Sequence, residues 1–303
     1  MAASKSPREI RRRIRSVTST QKITKALETV SAVKMRKAQQ AVLAGRPFAE
    51  EALALLRRLG TLSNLGAHPL LARKQTGRQL LVLIAPDKGL TGGLGTNLFR
   101  RVTDLVAEQS SGKGRTTDVR AVGREAAKFA ERSGYTVVGT SRNDVVDVTS
   151  ARALRDELVE AYVNGPYDKV ILGYTQFVST LKQQPFVRGI LPVTIEKIVD
   201  VEELPPALTE PASLTPDVYD LEPTPQELLD ELVPELVTML IYHALQESAA
   251  SEHSARMVAM KNAFDNATDL IGELTQTFNR LRQESITSAL AEISAGVAAL
   301  ERA

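Results

Sequence analysis

The chain has 303 residues, 43% hydrophobic and 24% charged, with a formal net charge of +2. That composition belongs to a folded globular chain with room for two domains, and no stretch reaches the roughly 18 uninterrupted apolar residues of a membrane span. The absence of cysteine excludes disulfides and thiolate metal sites and suits a cytoplasmic setting. The small net charge hides a strong segregation. Ten cations lie between Arg8 and Lys37 against only Glu9 and Glu28, whereas 196–235 holds twelve acids and a single base, Lys197. One end of the chain therefore suits acidic partners, and another part avoids them or meets basic ones.

The opening, MAASKSPREIRRRIRS, lacks the apolar core of a signal peptide. It is Arg-rich but passes directly into a helical pattern, so it is not read as a transit peptide. Ser6 and Pro7 suit an N-cap and a first helical turn. Ile10, Ile14 and Val17, then Ile23, Leu27 and Val30, then Val42, Leu53, Leu56 and Leu59 extend a helix to about residue 59, with a kink or break expected at Gly45 and Pro47.

From residue 79 the period changes. The run LLVLIA at 80–85 is continuous and apolar, as in a strand buried on both faces. A helix over 95–109, a strand over 118–122, a helix over 124–132, a strand over 135–139, a helix over 150–163 and a strand over 169–174 follow. Strands separated by helices of this length indicate a mostly parallel, Rossmann-like sheet with helices on its faces. A last strand over 185–191, reached by a short turn, is expected to pair antiparallel with its predecessor. Six prolines between 205 and 225 then forbid long regular structure in 201–225, an acidic connector.

The last stretch, from about residue 226 to the end, organises the rest. Met257, Met260, Phe264, Ala267, Ile271, Leu274, Phe278 and Leu281 step by 3 and 4 in alternation, the seam of a coiled coil. Leu229, Leu232, Leu236, Leu240 and Ala244 carry a similar face upstream, and Pro234 is expected to kink this helix or mark its start. About 75 helical residues span roughly 110 Å, longer than a helix bundle of this size accommodates. The N-terminal helix is the natural antiparallel mate, but at about 52 residues it is too short to cover the whole rod. Beyond Leu281 the apolar set becomes Ile286, Leu290, Ile293, Val297 and Leu300, and Glu292 is the only charge in 285–300. Such a tip must be housed by something outside this chain.

Motifs for catalysis are weak. The segment DKGLTGGLGTN at 87–97 has glycines between a strand and a helix, but Gly89, Gly92, Gly93 and Gly95 do not fit G-x-G-x-x-G, and no G-K-[ST] is present. Ser31 and Lys34 match an S-x-x-K spacing without its companion motifs. His68, His243 and His253 form no ligand set. Two other readings stay open on the residues alone. A nucleotide-binding α/β enzyme would bind nucleotide at the Gly-rich loop. A basic coiled-coil nucleic-acid binder would show steep salt dependence.

Several blocks, in order, resemble the gamma subunit of F-type ATP synthase. They are TQKITK at 20–25, KMRK at 34–37, DKGLTGG at 87–93, SEHSARMVAMK at 251–261 with Asn266 and Ala267, NRLRQESIT at 279–287 and EISAG at 292–296. The resemblance implies a long antiparallel coiled coil of the terminal helices (1–60 with 222–303), and an inserted α/β domain (76–200) at its foot. It implies a non-catalytic central-stalk rotor, without cofactor or metal, inside a ring of alpha and beta subunits. Epsilon and the c-ring would be its other partners. It would sit peripherally on the cytoplasmic face of a bacterial cell membrane, reached only through the c-ring.

By the same resemblance Arg282, Gln283 and Thr287 contact a beta subunit. Lys22, Lys25 and Leu27 on the first helix, with Lys88 and Thr91 of the Gly-rich loop, face beta's acidic lever, Arg36 contacts the beta ring, and Ile286, Leu290, Ile293, Val297 and Leu300 form an apolar bearing. The family's usual residues differ at Leu27 (Met), Thr91 (Cys), Ala289 (an acid) and Val297 (a small residue). The acid-rich stretch 200–235 is expected to meet basic loops of the c-ring. Reversing the charge of Glu202, Glu203 and Glu210 should then weaken rotor assembly and alter its salt sensitivity; unchanged assembly across a salt series removes this contact.

Overall fold

The computed structural model describes residues 6–62, 68–143, 146–193 and 224–300, without side chains at 42–62, 109–113, 225 and 298–300. The connector 201–223, with Glu202, Glu203 and Glu210, lies outside the described residues, as do the side chains of Val42, Leu53, Leu56, Leu59 and Leu300. In chain order the elements are α1 (Pro7–Leu62), β1 (Arg78–Ile84), α2 (Leu94–Lys113), β2 (Thr116–Val122), α3 (Arg124–Arg132), β3 (Thr136–Ser141), α4 (Val148–Val163), β4 (Lys169–Phe177), β5 (Gln183–Leu191) and α5 (Pro225–Leu300). The chain divides into two compact units, Met1–Ser31 with Arg256–Ala303, and Ala32–Ala255.

In the larger unit the strand order is β3-β2-β1-β4-β5. The first four strands are parallel, and β5 runs antiparallel to β4 from Val170↔Leu191 to Phe177↔Gln183. The turn leaves too few residues for a crossover, so an antiparallel return is the only pairing open to it. Six of the seven residues of β1 are buried, because both sheet faces are covered. One face packs Leu81, Leu83, Val119 and Ile171 against α2 and α3 through Leu98, Val102, Ala126 and Ala130. The other packs Leu80, Val82, Val170 and Leu172 against α4 and the start of α5, through Leu154, Leu158, Leu229, Val233, Leu236, Val237 and Ile241. Here α5 buries a broader face than the expected stripe, with Val233, Val237 and Ile241 fully enclosed while Leu232 and Leu240 are only half-buried. A flat layer takes more of a helix's circumference than a second helix does.

The smaller unit is an antiparallel pair of helical segments. The Gln21 amide donates to Thr268 Oγ1 at 2.7 Å, and the Lys25 ammonium lies 5.2 Å from the Phe264 ring centroid. Four residues forward on α1 thus correspond to four back on α5. On α5 every position that the 3-4 spacing selects is buried or half-buried, with Met260 and Ala267 deepest, and Val258, Ala259, Ala263 and Thr277 are half-buried beside them. On α1 they are Ile10, Ile14, Val17, Gln21, Thr24, Glu28 and Ser31, flanked by half-buried Thr18 and Leu27. The Thr18 hydroxyl donates back to the Ile14 carbonyl at 2.8 Å, so its polar group is satisfied within the helix.

This corrects the expected first-helix face in its second part. Ile23 and Val30 are more than half exposed, and the seam is carried instead by the small or polar Gln21, Thr24 and Ser31. Heptad spacing from Ile10 reaches those positions whatever their hydrophobicity, and short side chains let the two backbones approach. Neither helix is broken at the expected positions. α1 runs through Gly45 and Pro47 as one helix, and Pro234 lies inside α5 rather than at its start.

One glycine is fixed by geometry. Gly123, between β2 and α3, has φ +97°, and a Cβ there would stand 1.9 Å from the Ala85 carbonyl oxygen. Gly123→Ala combines backbone strain with a clash against main chain, so it should destabilise the chain by about 3 kcal/mol, read as a lower urea midpoint at unchanged slope.

Candidate partner-contact surfaces

The contact residues expected from sequence fall into two sets, one in each unit. In the smaller unit Lys22, Arg282, Gln283 and Thr287 are exposed and Leu27 is half-buried. Lys25 is held at the surface by Glu28 at 3.0 Å. The tip is the plainest feature. Ile286, Leu290, Ile293 and Val297 are 52%, 60%, 65% and 51% exposed, and their 4-3-4 spacing makes them one stripe on α5. The stripe begins where the paired seam ends, at half-buried Leu281. Ile23 and Val30 add exposed apolar surface on α1.

In the larger unit Arg36 and Lys88 are exposed, but Thr91 is 8% exposed and belongs to the interior of its loop. The loop's outermost apolar group is Leu90, 63% exposed and held at φ +67°. A leucine in the left-handed region costs about 1–2 kcal/mol. Motif spacing passes over Leu90, and its setting among glycines is the one signal in the sequence that points to it.

The Gly-rich loop follows β1, next to β4, where the sheet order reverses and α/β folds commonly bind phosphate. On the other side of β1, where β2 leads into α3, a carboxylate of the chain fills an anion position. Asp87 is buried, one of its oxygens accepting the Arg124 N–H at 2.9 Å and the other the Asn143 N–H at 3.0 Å. The Arg124 guanidinium returns a bond to the Asp87 carbonyl at 3.1 Å. Arg124 opens α3, so the positive end of that helix is capped by a tethered anion.

The histidines stand apart from any such site. His68 is buried, its Nδ1 accepts the Leu70 N–H at 3.1 Å, and burial lowers its pKa despite Asp230 at 3.6 Å. His243 lies 3.7 Å from Glu247 one turn along α5. Among the described residues no group of three His, Asp or Glu side chains is placed to hold a metal ion. No described helix is long and apolar enough to cross a membrane.

A family model described as ATP synthase matches residues 6–300. The chain is 40% identical over 296 residues to the ATP synthase gamma chain of Pelotomaculum thermopropionicum, covering 97% of this chain and 99% of that one. It is 42% identical over 308 residues to the ATP synthase gamma chain of Herpetosiphon aurantiacus, covering 98% and 99%. Among solved structures it resembles a chain of the Euglena gracilis mitochondrial ATP synthase OSCP/F1/c-ring, with TM-score 0.64, 19% identity and coverage of 97% and 94%. It also resembles a chain of the Tetrahymena thermophila mitochondrial ATP synthase central stalk and c-ring, with TM-score 0.58, 23% identity and coverage of 80% and 99%. These two likenesses are of fold.

Removing the carboxylate with Asp87→Ala leaves two backbone donors without acceptors and should cost about 2 kcal/mol, while Asp87→Asn retains part of that stability. Equilibrium dialysis of the unaltered chain against ATP should show no binding at this loop.

Proposed function

The chain belongs to the family of ATP synthase gamma chains, and we propose that it works without a catalytic group of its own, between a ring of alpha and beta subunits at the tip of α5 and epsilon and the c-ring at the α/β domain. It is a central-stalk rotor subunit, coupling rotation of the c-ring to ATP synthesis and hydrolysis. In the proposed arrangement residues 1–60 with 222–303 form the shaft and 76–200 the foot. The complex sits on the cytoplasmic face of a bacterial membrane, which this subunit meets only through the c-ring.

The observation that carries this reading is the exposed stripe Ile286–Leu290–Ile293–Val297 at the end of a helix whose preceding heptads are paired. An apolar sleeve can house such a stripe and still let it turn, because apolar contact has no preferred direction. Hydrogen bonds around the whole tip would favour particular angles. Exposed Lys22, Lys88, Arg36 and Arg282 offer charge to acidic segments of beta, and Gln283 and Thr287 offer hydrogen bonds close to the tip. Each beta site then meets a different face of an asymmetric pair of helices, and its nucleotide affinity follows the angle.

Adding the chain to an inactive mixture of alpha and beta subunits should produce an ATPase. Leu290→Asp with Ile293→Asp should leave the chain's own stability within about 0.5 kcal/mol, since both positions are exposed, but weaken capture by the ring about tenfold or more. Equal activation by the variant would remove the proposed bearing.

A further inference from the structure

The most enclosed part of α5 is a polar one. From Ala244 to Ser254 almost every position is buried, including Gln246, Glu247, Ser248, Ser251, Glu252 and Ser254. Glu247, Ser251 and Ser254 are spaced i, i+4, i+7 and so share one face. That face meets the β4–β5 hairpin. The Ser251 hydroxyl donates to the Thr175 carbonyl at 3.0 Å, and the Ser254 hydroxyl to the Thr180 carbonyl at 2.7 Å. The Gln183 amide reaches Ser254 Oγ at 3.4 Å. One turn back, Glu247 is hydrogen-bonded with Tyr174 of β4, which Arg188 of β5 also contacts. Burial, followed by the Glu247 charge, raises the Tyr174 pKa, so the phenol stays protonated and donates.

We propose that this Glu247–Ser251–Ser254 face is the grip through which the α/β domain turns α5. The inference rests on the rotor function stated above. A helix held only by apolar contacts meets little resistance to twisting about its axis or sliding along it, because dispersion and burial are insensitive to direction. Hydrogen bonds tolerate only small changes in distance and angle. When buried, they leave unsatisfied groups if the helix slips. Three such positions over two turns, bonded to both strands and the turn of one hairpin, oppose rotation and translation together. Serine suits the task because its short side chain lets the helix approach the hairpin backbone. Upstream, at Leu229–Ile241, α5 is held mainly by apolar packing, with Arg155 of α4 donating to Glu235 at 3.0 Å and Thr238 at 3.1 Å beside it. The polar face adds bonds from the helix to the main chain of the hairpin itself, which those side-chain pairs do not supply.

These residues position the shaft and touch no nucleotide, so the test must separate coupling from stability. In the assembled ATP synthase, Ser251→Ala with Ser254→Ala should lower ion-driven ATP synthesis about threefold or more, while ATP hydrolysis stays near its original rate. Glu247→Gln, which keeps the side-chain volume, should act in the same direction. The chain has no cysteine of its own, so Gln183→Cys with Ser254→Cys provides a single thiol pair. Oxidising the pair to a disulfide should raise synthesis above the level of the reduced protein, and reduction with dithiothreitol should reverse the gain. The proposal is overturned if synthesis and hydrolysis fall in parallel with the melting temperature, if neither changes, or if the cross-link lowers synthesis. Failure of the unaltered chain to activate alpha and beta would instead count against the rotor function.

Discussion

A helix of 76 residues carries more apolar surface than it can hide by itself, and the structure follows from how successive parts of α5 meet that constraint. Residues 229–245 bury a broad face in the core of the α/β unit. Residues 257–281 bury a narrow seam in the pair formed with α1. Beyond Leu281, the stripe at 286–297 is exposed. The change from sheet to helix to exposed surface is written in the width of the apolar face, broad where the neighbour is a layer and narrow where it is another helix.

The seam of α1 shows how register can be fixed at modest cost in burial. Thr24 and Ser31 contribute little apolar area, and Gln21 uses its amide to bond Thr268. A polar residue at one such position is a known means of specifying alignment in coiled coils, at some loss of stability. Leu or Ile there would bury more, but would accept neighbouring alignments more readily.

Much of this was legible in the sequence because periodicity survives without knowledge of partners. The 3-4 steps from Met257 to Leu281, the apolar run of β1 and the short turn before β5 each admit one physical reading. The first helix was less legible: hydrophobicity drew attention to Ile23 and Val30, whereas the spacing from Ile10 led to Gln21, Thr24 and Ser31. The polar face at Glu247, Ser251 and Ser254 was hidden for a related reason. Polar residues on a helix ordinarily face water, and only the position of the β4–β5 hairpin shows that these do not. The role of Asp87 was equally hidden, since its two donors, Arg124 and Asn143, are 37 and 56 residues away in sequence.

The carboxylate at the start of α3 also ties together parts of the chain that lie far apart in sequence. Asp87 opens the loop after β1, Arg124 begins the helix after β2 and Asn143 follows β3, so one side chain knots three neighbouring strand ends. The two main-chain donors it holds are committed within the chain, which leaves that helix start with less to offer a diffusible anion.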